Sequence, residues 1–592
     1  MVWGPESVSR TKATVIVCLP VGGRWARVSA ASALLLGSCI APAFGQRVPI
    51  PSTAAPGVVE RSIPQQPVPG TNGESITVPT VPPTKAPAGA ESILFNVNQI
   101  QIIGASALSE ADLADTYSDL LGQRVSLSEL YNVANAITAK YAAAGYALCF
   151  AVVPAQQISN GVVRIQVIEG FVARIVLENR YRVVPPPING YAWKLLHSRP
   201  LRTSDLEHYL LLANDIPGYS VKAVFDRDPD PNAVPGATEL ILRIQRTAAE
   251  GTITADNRGS RTLGSTRGDA FVSLRSLLGF GEEYQLHTLQ SVHPGLLSYY
   301  SGQVSAPVDS AGTRATTSTS FSRTLPTIAA LGPGNFRGTT WISNFNVEHP
   351  LERSREDSWW VSGGVTGKWL DGDVLDVPDS RDRIYLANVA TTFVHNTDTS
   401  TVYTHLSVNQ GLPIFNATTS TSPLRSRASG SGVYTSSVLD VAWRQSVWGP
   451  FDILTTFDGQ WASRGLLASE QCGYGGASYG RAFDDSEIVG DMCVMGSTEW
   501  RFSPLALFDH PPQLLSLLQL YGFYDAGIAW ERGTLLPGEN QSEVGQSCGG
   551  GLRIGISWGL SGSVEYALPI TRDLADNGAR RGRIFASLKE DL

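Results

Sequence analysis

Apolar and polar residues alternate along the chain from Gly251 to the C-terminus. One run places large apolar residues at every second position: Leu552, Ile554, Ile556, Trp558 and Leu560. Two other runs repeat the pattern, with Phe451, Ile453, Phe457 and Trp461 in one and Val564, Tyr566 and Leu568 in the other. Successive side chains of a strand point to opposite faces, so these runs predict strands with one apolar face. A soluble β-sandwich alternates in the same way, but repetition over about 340 residues favours a membrane β-barrel.

Apolar residues follow helical spacing only before this region, where a β-α-α-β-β order occurs twice. The first unit is predicted to contain an extended segment, two helices and two strands: 95–103, a helix from Ser109, a helix from Ser126, 147–153 and 162–167. The second unit repeats this order: 172–178, a helix at 191–197, a helix from Ser204, 221–225 and 239–244. We therefore place two small α+β domains at 92–170 and 171–247, followed by the barrel at 248–592.

The N-terminus has the pattern of a cleaved secretory leader over residues 1–45. Four basic residues precede an apolar run at 28–43 and a small-residue site: Arg10, Lys12, Arg24 and Arg27. The apolar run is short for an uncleaved anchor helix. A lipoprotein-type cleavage box that ends at Cys39 leaves lipidation as an alternative. No later stretch has the ~18 uninterrupted apolar residues of a membrane helix, so an exported chain that enters a membrane would do so as a barrel.

Residues 46–91 are dense in Pro, Thr, Ser and Ala. Proline fixes φ and removes a backbone donor, so we predict an extended linker here and not a packed domain. A functional segment within it, such as a pore plug, stays open as an alternative.

Composition narrows the classes of function. Charged residues make up 17% of the chain, and 58 Gly, 19 Tyr and 13 Trp suit strands, turns and aromatic girdles better than a helical enzyme. The net charge of −8 does not indicate a nucleic-acid-binding protein, which usually carries a basic surface. The cysteines outside the leader are too widely spaced to define a disulfide framework or a metal pair: Cys149, Cys472, Cys493 and Cys548. We expect no nucleotide site, since Gly367-Lys368 lacks the rest of a phosphate loop. We also expect no cofactor and no metal, since the eight His residues include no close pair at metal-ligand spacing.

Several motifs at fixed spacing lie in the first α+β unit. They are Gly145-Tyr146, Pro154, Gln156, Gly161 and Glu169-Gly170. With them the unit resembles the first POTRA domain of outer-membrane two-partner secretion transporters. This resemblance implies a small sheet with two helices on one face and an exposed edge, which can accept a strand from a client chain.

Three short sequence motifs in the strand-rich region extend the resemblance, which then runs from about residue 95 to the C-terminus. They are Asp256-Asn257-Arg258-Gly259-Ser260, Glu348-His349-Pro350-Leu351 and Phe523-Tyr524-Asp525-Ala526-Gly527. The fold that the family implies is a membrane β-barrel of about 16 antiparallel strands behind two periplasmic POTRA domains. The implied function is an outer-membrane pore that translocates an unfolded exoprotein of the large β-helical haemolysin or adhesin type without ATP. Its partners would be that exoprotein and outer-membrane lipid.

A glycine-rich loop near 470–491 carries one isolated cation, Arg481. On the strand predicted at 519–530, the large apolar residues share one face and should meet lipid. The opposite face, which would line the lumen, carries Phe523, Asp525 and Gly527.

In the resembled family, the arginine of a V-R-G-F/Y tetrad, on a loop folded into the barrel, pairs with the aspartate of an F-x-D-x-G strand. The resemblance implies that Arg481 and Asp525 form this contact and that Phe483 is the aromatic residue of the tetrad. Gly480 replaces the family's valine and Ala482 replaces its glycine. If position 482 needs a positive φ, an alanine there would be strained.

Other functions fit parts of the chain. An insertase of the same superfamily usually carries a longer POTRA array than two domains, and a passive porin or adhesin would leave the α+β units unexplained. An exported serine hydrolase would use Ser478, which lies in a G-x-S-x-G pattern. No amphipathic helix follows Ser478, and only His510 lies downstream as a base, so this pattern argues weakly for an enzyme.

Overall fold

The computed structural model describes residues 50–57, 59–60, 82–179, 183–328, 331–332, 334–510, 512–533, 535, 540–571 and 580–592. The predicted leader at 1–45, including Cys39, lies outside these residues, as does much of the predicted linker. Within the described part of the chain, no helix is both long and apolar enough to cross a bilayer.

The first α+β unit has the predicted order, but the extended segment predicted at 95–103 is divided into two strands and a further strand precedes the second helix. Its elements are β1 (Leu94–Val97), β2 (Gln99–Ile103), α1 (Glu110–Leu113), β3 (Gln123–Ser126), α2 (Leu127–Ala143), β4 (Phe150–Val152) and β5 (Val162–Ile168). A capping box forms at the start of α2, where the side chain of Ser126 accepts from the backbone N–H of Glu129. β2 pairs in parallel with β5, and β4 is antiparallel on its other side. Buried Leu130, Ile137 and Tyr141 of α2 share one core with this sheet.

The second unit repeats the arrangement with longer strands. It consists of β6 (Phe171–Asn179), α3 (Pro186–His197), α4 (Thr203–Asn214), β7 (Tyr219–Arg227) and β8 (Ala237–Arg246). The strand order is β6-β8-β7, with β6 and β8 parallel. α3 begins earlier than predicted because prolines occupy its first turn, where a missing N–H costs no hydrogen bond.

Sixteen strands form a closed antiparallel barrel in which the last strand pairs with the first, so the predicted barrel is confirmed. They are β9 (Ala249–Asp256), β10 (Arg267–Arg275), β11 (Glu283–Ser291), β12 (Leu297–Pro307), β13 (Arg314–Thr324), β14 (Phe336–Arg353), β15 (Asp357–Val374), β16 (Val377–Asn396), β17 (Ser400–Gly411), β18 (Thr435–Trp448), β19 (Phe451–Ala462), β22 (Met492–Phe502), β23 (Leu515–Trp530), β24 (Ser542–Ile556), β25 (Leu560–Pro569) and β26 (Arg583–Asp591). A separate hairpin, β20 (Cys472–Tyr474) and β21 (Ile488–Gly490), lies between β19 and β22.

The alternation identifies the two faces of the barrel strands. On β23, Leu520 and Tyr524 are exposed on the outer face, whereas Asp525 is fully buried on the inner one. The alternating run from Leu552 to Leu560 is not a single strand, because β24 ends before a turn at 557–559. Gly559 adopts a φ of +91° in that turn, and Trp558 is exposed there.

Part of the predicted linker packs inside the barrel. Ala54 is buried in one cluster with Phe336, and Val59 is buried in another with Tyr299. The hydroxyl of Ser322 donates to the carboxylate of Glu60 at 2.9 Å. The composition predicted an extended linker, but small side chains in this stretch fit against the barrel wall.

The second unit docks on the end of the barrel that carries the turns at 276–282, 308–313 and 354–356, which we call the near end. Asp215, at the end of α4, accepts two hydrogen bonds from the guanidinium of Arg353, at 2.8 and 2.9 Å. Lys194 of α3 donates to the carbonyl of Ser310 at 2.8 Å. These contacts fix the second unit beside the near end of the lumen.

Candidate functional site

The loop between β19 and β22 folds into the barrel, as the family resemblance implied. Its hairpin pairs Cys472 with Gly490 and Tyr474 with Ile488. A disulfide between Cys472 and Cys493 joins this hairpin to the wall strand β22. Spacing alone did not predict this bond, because the two cysteines belong to no repeated pattern and meet only through the strand register.

The tip of this inward loop is a tight turn around Arg481. The N–H of Phe483 donates to the carbonyl of Gly480 at 2.8 Å. Gly480 has a φ of +72°, and a Cβ there would lie 2.5 Å from a ring carbon of Tyr474. The φ of Ala482 is outside the left-handed region, so the strain considered for this alanine does not arise. The residue that needs glycine is 480, where the family has valine.

Arg481 and Asp525 form the contact that the resemblance implied. The backbone N–H of Arg481 donates to Asp525 at 2.9 Å, and its Nη2 donates to the other carboxylate oxygen at 3.3 Å. The guanidinium lies 3.9 Å from the ring centre of Phe523. Arg481 is only 5% exposed and Asp525 is fully buried, so the pair is largely removed from water.

Two hydroxyl groups on neighbouring strands orient the carboxylate of Asp525. Ser497 on β22 donates to it at 2.8 Å and Ser547 on β24 at 3.1 Å. Both serines lie directly opposite Asp525 in the strand register. Ser497 also accepts from Nη2 of Arg481 at 2.8 Å, so the loop and three wall strands share one network.

A second carboxylate, Glu499, is as close to Arg481 as Asp525 and was not predicted. Nη1 of Arg481 donates to Glu499 at 2.6 Å. Glu499 also accepts from Arg501 at 2.6 Å and from Arg553 at 2.7 Å. The lumen face of β22 could have indicated Glu499, because it lies two positions after Ser497 and opposite Phe523.

Glu565 completes the charged cluster from the other side. It lies 3.7 Å from Nη1 of Arg481 and accepts from Tyr521 at 2.8 Å and from Arg258 at 2.7 Å. The cluster therefore combines several carboxylates with several arginines in a lumen shielded from solvent. Such charge-assisted hydrogen bonds are short and directional, and they suit a device that holds a loop in place.

Steric contact with the inward loop explains why the wall motif has a glycine at position 527. A Cβ on Gly527 would lie 2.4 Å from the ring of Tyr474, and one on Gly545 would lie 2.2 Å from it. Phe483 is 2% exposed, and its ring lies 5.7 Å from that of Tyr474. The two glycines thus let the aromatic residues of the loop lie directly on the wall.

In the first α+β unit, Glu169 of the predicted motif connects three elements. Its carboxylate accepts from the N–H groups of Ser106 and Ala107, at 2.7 and 2.8 Å, from the hydroxyl of Ser106, and from Tyr141 at 2.8 Å. Burial acts to raise the pKa of Glu169, but these hydrogen bonds outweigh it and lower the pKa below its ordinary value.

The other motif residues shape turns and edges of the same unit. The side-chain amide of Gln156 makes two hydrogen bonds of 2.7 Å with the backbone of Arg164 on β5. Gly145 and Gly161 have φ values of +87° and +72°. The ring centre of Tyr146 lies 6.1 Å from that of Tyr141, and Pro154 follows the end of β4. Gly170 has no room for a side chain, because a Cβ there would lie 2.4 Å from the carbonyl oxygen of Leu148.

The serine of the G-x-S-x-G pattern does not occupy a nucleophile elbow. Ser478 is exposed among bends of the inward loop, with no strand-to-helix turn. His510 lies in the connection between β22 and β23, which leaves the barrel at its near end. The inward loop leaves β19 at the opposite end, so the topology separates the two residues.

Two family models match the chain. Residues 95–170 match the POTRA domain, ShlB-type, and residues 236–552 match the haemolysin secretion/activation protein ShlB/FhaC/HecB.

Curated relatives match over a shorter stretch. The heme/hemopexin transporter protein HuxB of Haemophilus influenzae is 27% identical over 205 residues, which is 34% of this chain and 36% of the relative. The outer membrane transporter CdiB of Escherichia coli O6:K15:H31 is 25% identical over 207 residues, 34% of each chain. The matches thus span only about a third of the length of these relatives.

Solved structures share the fold over most of the chain. CdiB from Escherichia coli superposes with a TM-score of 0.69 at 21% identity, covering 87% of this chain and 94% of that one. CdiB from Acinetobacter baumannii gives a TM-score of 0.59 at 16% identity, covering 88% and 95%.

Proposed function

Because this chain belongs to the haemolysin secretion/activation protein family ShlB/FhaC/HecB, we propose that it is a two-partner secretion pore that exports a protein across the outer membrane. The barrel spans the outer membrane, and the POTRA domain lies in the periplasm. The near end of the barrel therefore faces the periplasm.

The observation that carries this proposal is the buried set of contacts by which Arg481 of the inward loop binds Asp525, Ser497 and Glu499 of the barrel wall, which we call the latch. A porin needs no loop held by Arg481, Asp525 and Glu499, whereas a protein-conducting pore needs a lumen that is closed at rest. We propose that the described residues at 50–57 and 59–60, of which Ala54 and Val59 are buried against the wall, close the lumen together with this loop. Both would shift when a client chain passes.

The proposed client is a secreted exoprotein of the large β-helical haemolysin or adhesin type. Its unfolded segment would add a strand to an open sheet edge of the first POTRA domain, at β2 or β4. Backbone hydrogen bonds to an edge strand require no fixed client sequence. Folding of the client outside the cell would draw it outward, so transport would need no ATP.

Secretion of a co-expressed exoprotein tests the proposal. The chain is expressed with a β-helical exoprotein encoded beside it, and the exoprotein is measured in the medium and in the periplasm. We expect release that depends on the transporter and falls at least tenfold in Arg481→Ala. The contacts of Arg481 hold the inward loop in its transport-competent position, and removing one partner of a buried charge pair costs up to ~3–5 kcal/mol.

The matched control is Arg337→Ala, which removes a more exposed arginine that is paired with Asp376. Arg337→Ala should secrete like the wild type. If Arg481→Ala inserts normally and releases as much exoprotein as the wild type, the contacts of Arg481 with the barrel wall have no role in transport. Loss of other outer-membrane barrels on depletion, without any exoprotein release, would favour an insertase instead.

A further inference from the structure

A cavity of about 490 Å³ lies where the second α+β unit docks on the near end of the barrel. The end of α4 forms one wall with Leu212 and Asp215. The near ends of β13, β14 and β15 form the other wall with Arg314, Glu348 and Trp360. The cavity also reaches residues of β16 and β17 on the lumen side, so it joins the docking interface to the mouth of the pore.

Arg314 is incompletely satisfied in this cavity. Its Nη1 donates to the backbone carbonyl of Asp215 at 3.3 Å. Its Nε and Nη2 are buried and have no hydrogen-bond partner among the described residues. A buried donor without an acceptor costs free energy, so these two N–H groups of a charged side chain are free to donate to an acceptor that enters the cavity.

The neighbouring carboxylates are either already bound or held apart. Asp215 is engaged by the guanidinium of Arg353, and Glu283 accepts from Ser273 at 2.7 Å. Glu348 lies directly opposite Arg314 in the strand register, yet no ion pair joins the two in the part of the chain that the structure describes. The cavity therefore presents separate donor and acceptor groups.

We propose that this cavity binds an extended segment of the exported polypeptide as it passes from the second α+β unit into the lumen. Nε and Nη2 of Arg314 donate to backbone carbonyls of the segment, and Glu348 accepts from a backbone N–H. This inference rests on the proposed function, since it assigns an entry site to the client of that pore.

The chemistry of the cavity favours a peptide backbone over a single anion. An anion would be attracted by Arg314 but repelled by Glu348 across the strand pair, whereas a peptide group carries both an acceptor and a donor. Tyr191, Trp360 and Tyr403 add aromatic surface that accommodates varied side chains. A site that reads the backbone suits a substrate that passes through it residue by residue.

Binding of a peptide to the full-length protein in lipid nanodiscs tests the site. The probe is a short fluorescent Gly-Ser-Asn repeat peptide, acetylated and amidated, and its anisotropy reports the Kd. We expect Arg314→Gln to raise the Kd at least about fivefold, since it removes charge-assisted donors. Arg337→Gln, at the opposite end of the barrel, should leave the Kd unchanged. A backbone N-methylated peptide of the same sequence should bind more weakly to the wild type.

Heat-modifiable migration on gels checks that each variant is folded. If Arg314→Gln does not fold, benzoylphenylalanine in place of Trp360 should capture the peptide on illumination, and the same group in place of the outward-facing Trp341 should not. Equal Kd values for the wild type and Arg314→Gln, or binding only by a peptide with a free carboxylate, would overturn the proposal. The assay contains no secretion step, so its result is independent of whether the exoprotein is released.

Discussion

The tip of the inward loop turns at residue 480, and this position should tolerate no side chain. An alanine there would have to adopt a φ of +72° and would place its Cβ 2.5 Å from the ring of Tyr474. We expect Gly480→Ala to lower the free energy of unfolding by ~2–3 kcal/mol, because a non-glycine residue in this region costs ~1–3 kcal/mol before any overlap. Urea unfolding in lipid, followed by heat-modifiable gel migration, measures it. Gly268→Ala is the control, since its Cβ meets no atom within 4 Å, and an equal loss in both variants would contradict the prediction.

Some residues of the site could be predicted from the sequence and others could not. Alternation along β23 placed Asp525 on the lumen face, and the motif made Arg481 its partner. Glu499 and Glu565 were missed because alternation gives the face of a strand but not which lumen carboxylate a loop will reach. The sequence also could not predict the φ angle of Ala482, because this angle depends on which residue of the loop occupies the turn position with a positive φ.

Glu169 makes the stability of the first POTRA domain dependent on pH. Its pKa is lower in the folded state than the ordinary value of about 4.3. Its contribution is therefore fully present above the unfolded pKa and is lost as the pH falls through the lowered folded pKa. Thermal unfolding of the full-length protein, followed by the helical circular dichroism signal, should show this loss. Glu169→Gln should be less stable near neutral pH and should lack this part of the acid dependence, and an unchanged acid profile would refute the assignment.

At the scale of elements, periodicity predicted the type of the helices and strands in the two α+β units and of a few barrel strands, but not all of the boundaries, and the number of barrel strands came from the resemblance. Strand β3 was missed because it is short and pairs only with β1. The run at 552–560 continued its alternation through a turn, since Trp558 keeps the period although Gly559 reverses the chain. The period of apolar residues shows which side chains face lipid. It does not show where the chain reverses direction, because a turn depends on the backbone angles of one or two residues.

The disulfide between Cys472 and Cys493 should stabilise the inward hairpin. It closes a loop with a sequence separation of 21 residues, for which chain entropy predicts ~3 kcal/mol. We expect the double variant Cys472→Ser, Cys493→Ser to unfold at lower urea concentration and to expose the loop to protease. Cys548→Ser, which removes a free cysteine, is the control. Mass spectrometry of peptides without reduction checks the bond, and equal protease resistance of both variants would contradict its role.

Across the whole molecule, ionic contacts at the end opposite the near end join three separate connections of the barrel. Arg427, between β17 and β18, donates to Asp491, before β22, at 2.6 Å, and also to Glu531, which follows β23. Asp491 is fully buried and accepts from the backbone N–H of Leu466 at 2.8 Å and of Arg532 at 2.6 Å. These contacts hold the outer connections together above the inward loop. A client leaving the pore would have to pass between them.

Removing Arg427 should therefore loosen the outer end of the pore without unfolding the barrel. Arg427→Ala leaves Asp491 and Glu531 close together without their shared cation, which disfavours the closed arrangement by up to ~3–5 kcal/mol. We expect open events in planar-bilayer recordings to become at least tenfold more frequent. Arg337→Ala, at the same end, removes a cation that pairs with Asp376 in the turn between β15 and β16 and should leave the recordings unchanged. If Arg427→Ala also conducts like the wild type, the outer connections do not limit the pore, and the inward loop together with the residues at 50–57 and 59–60 would close it.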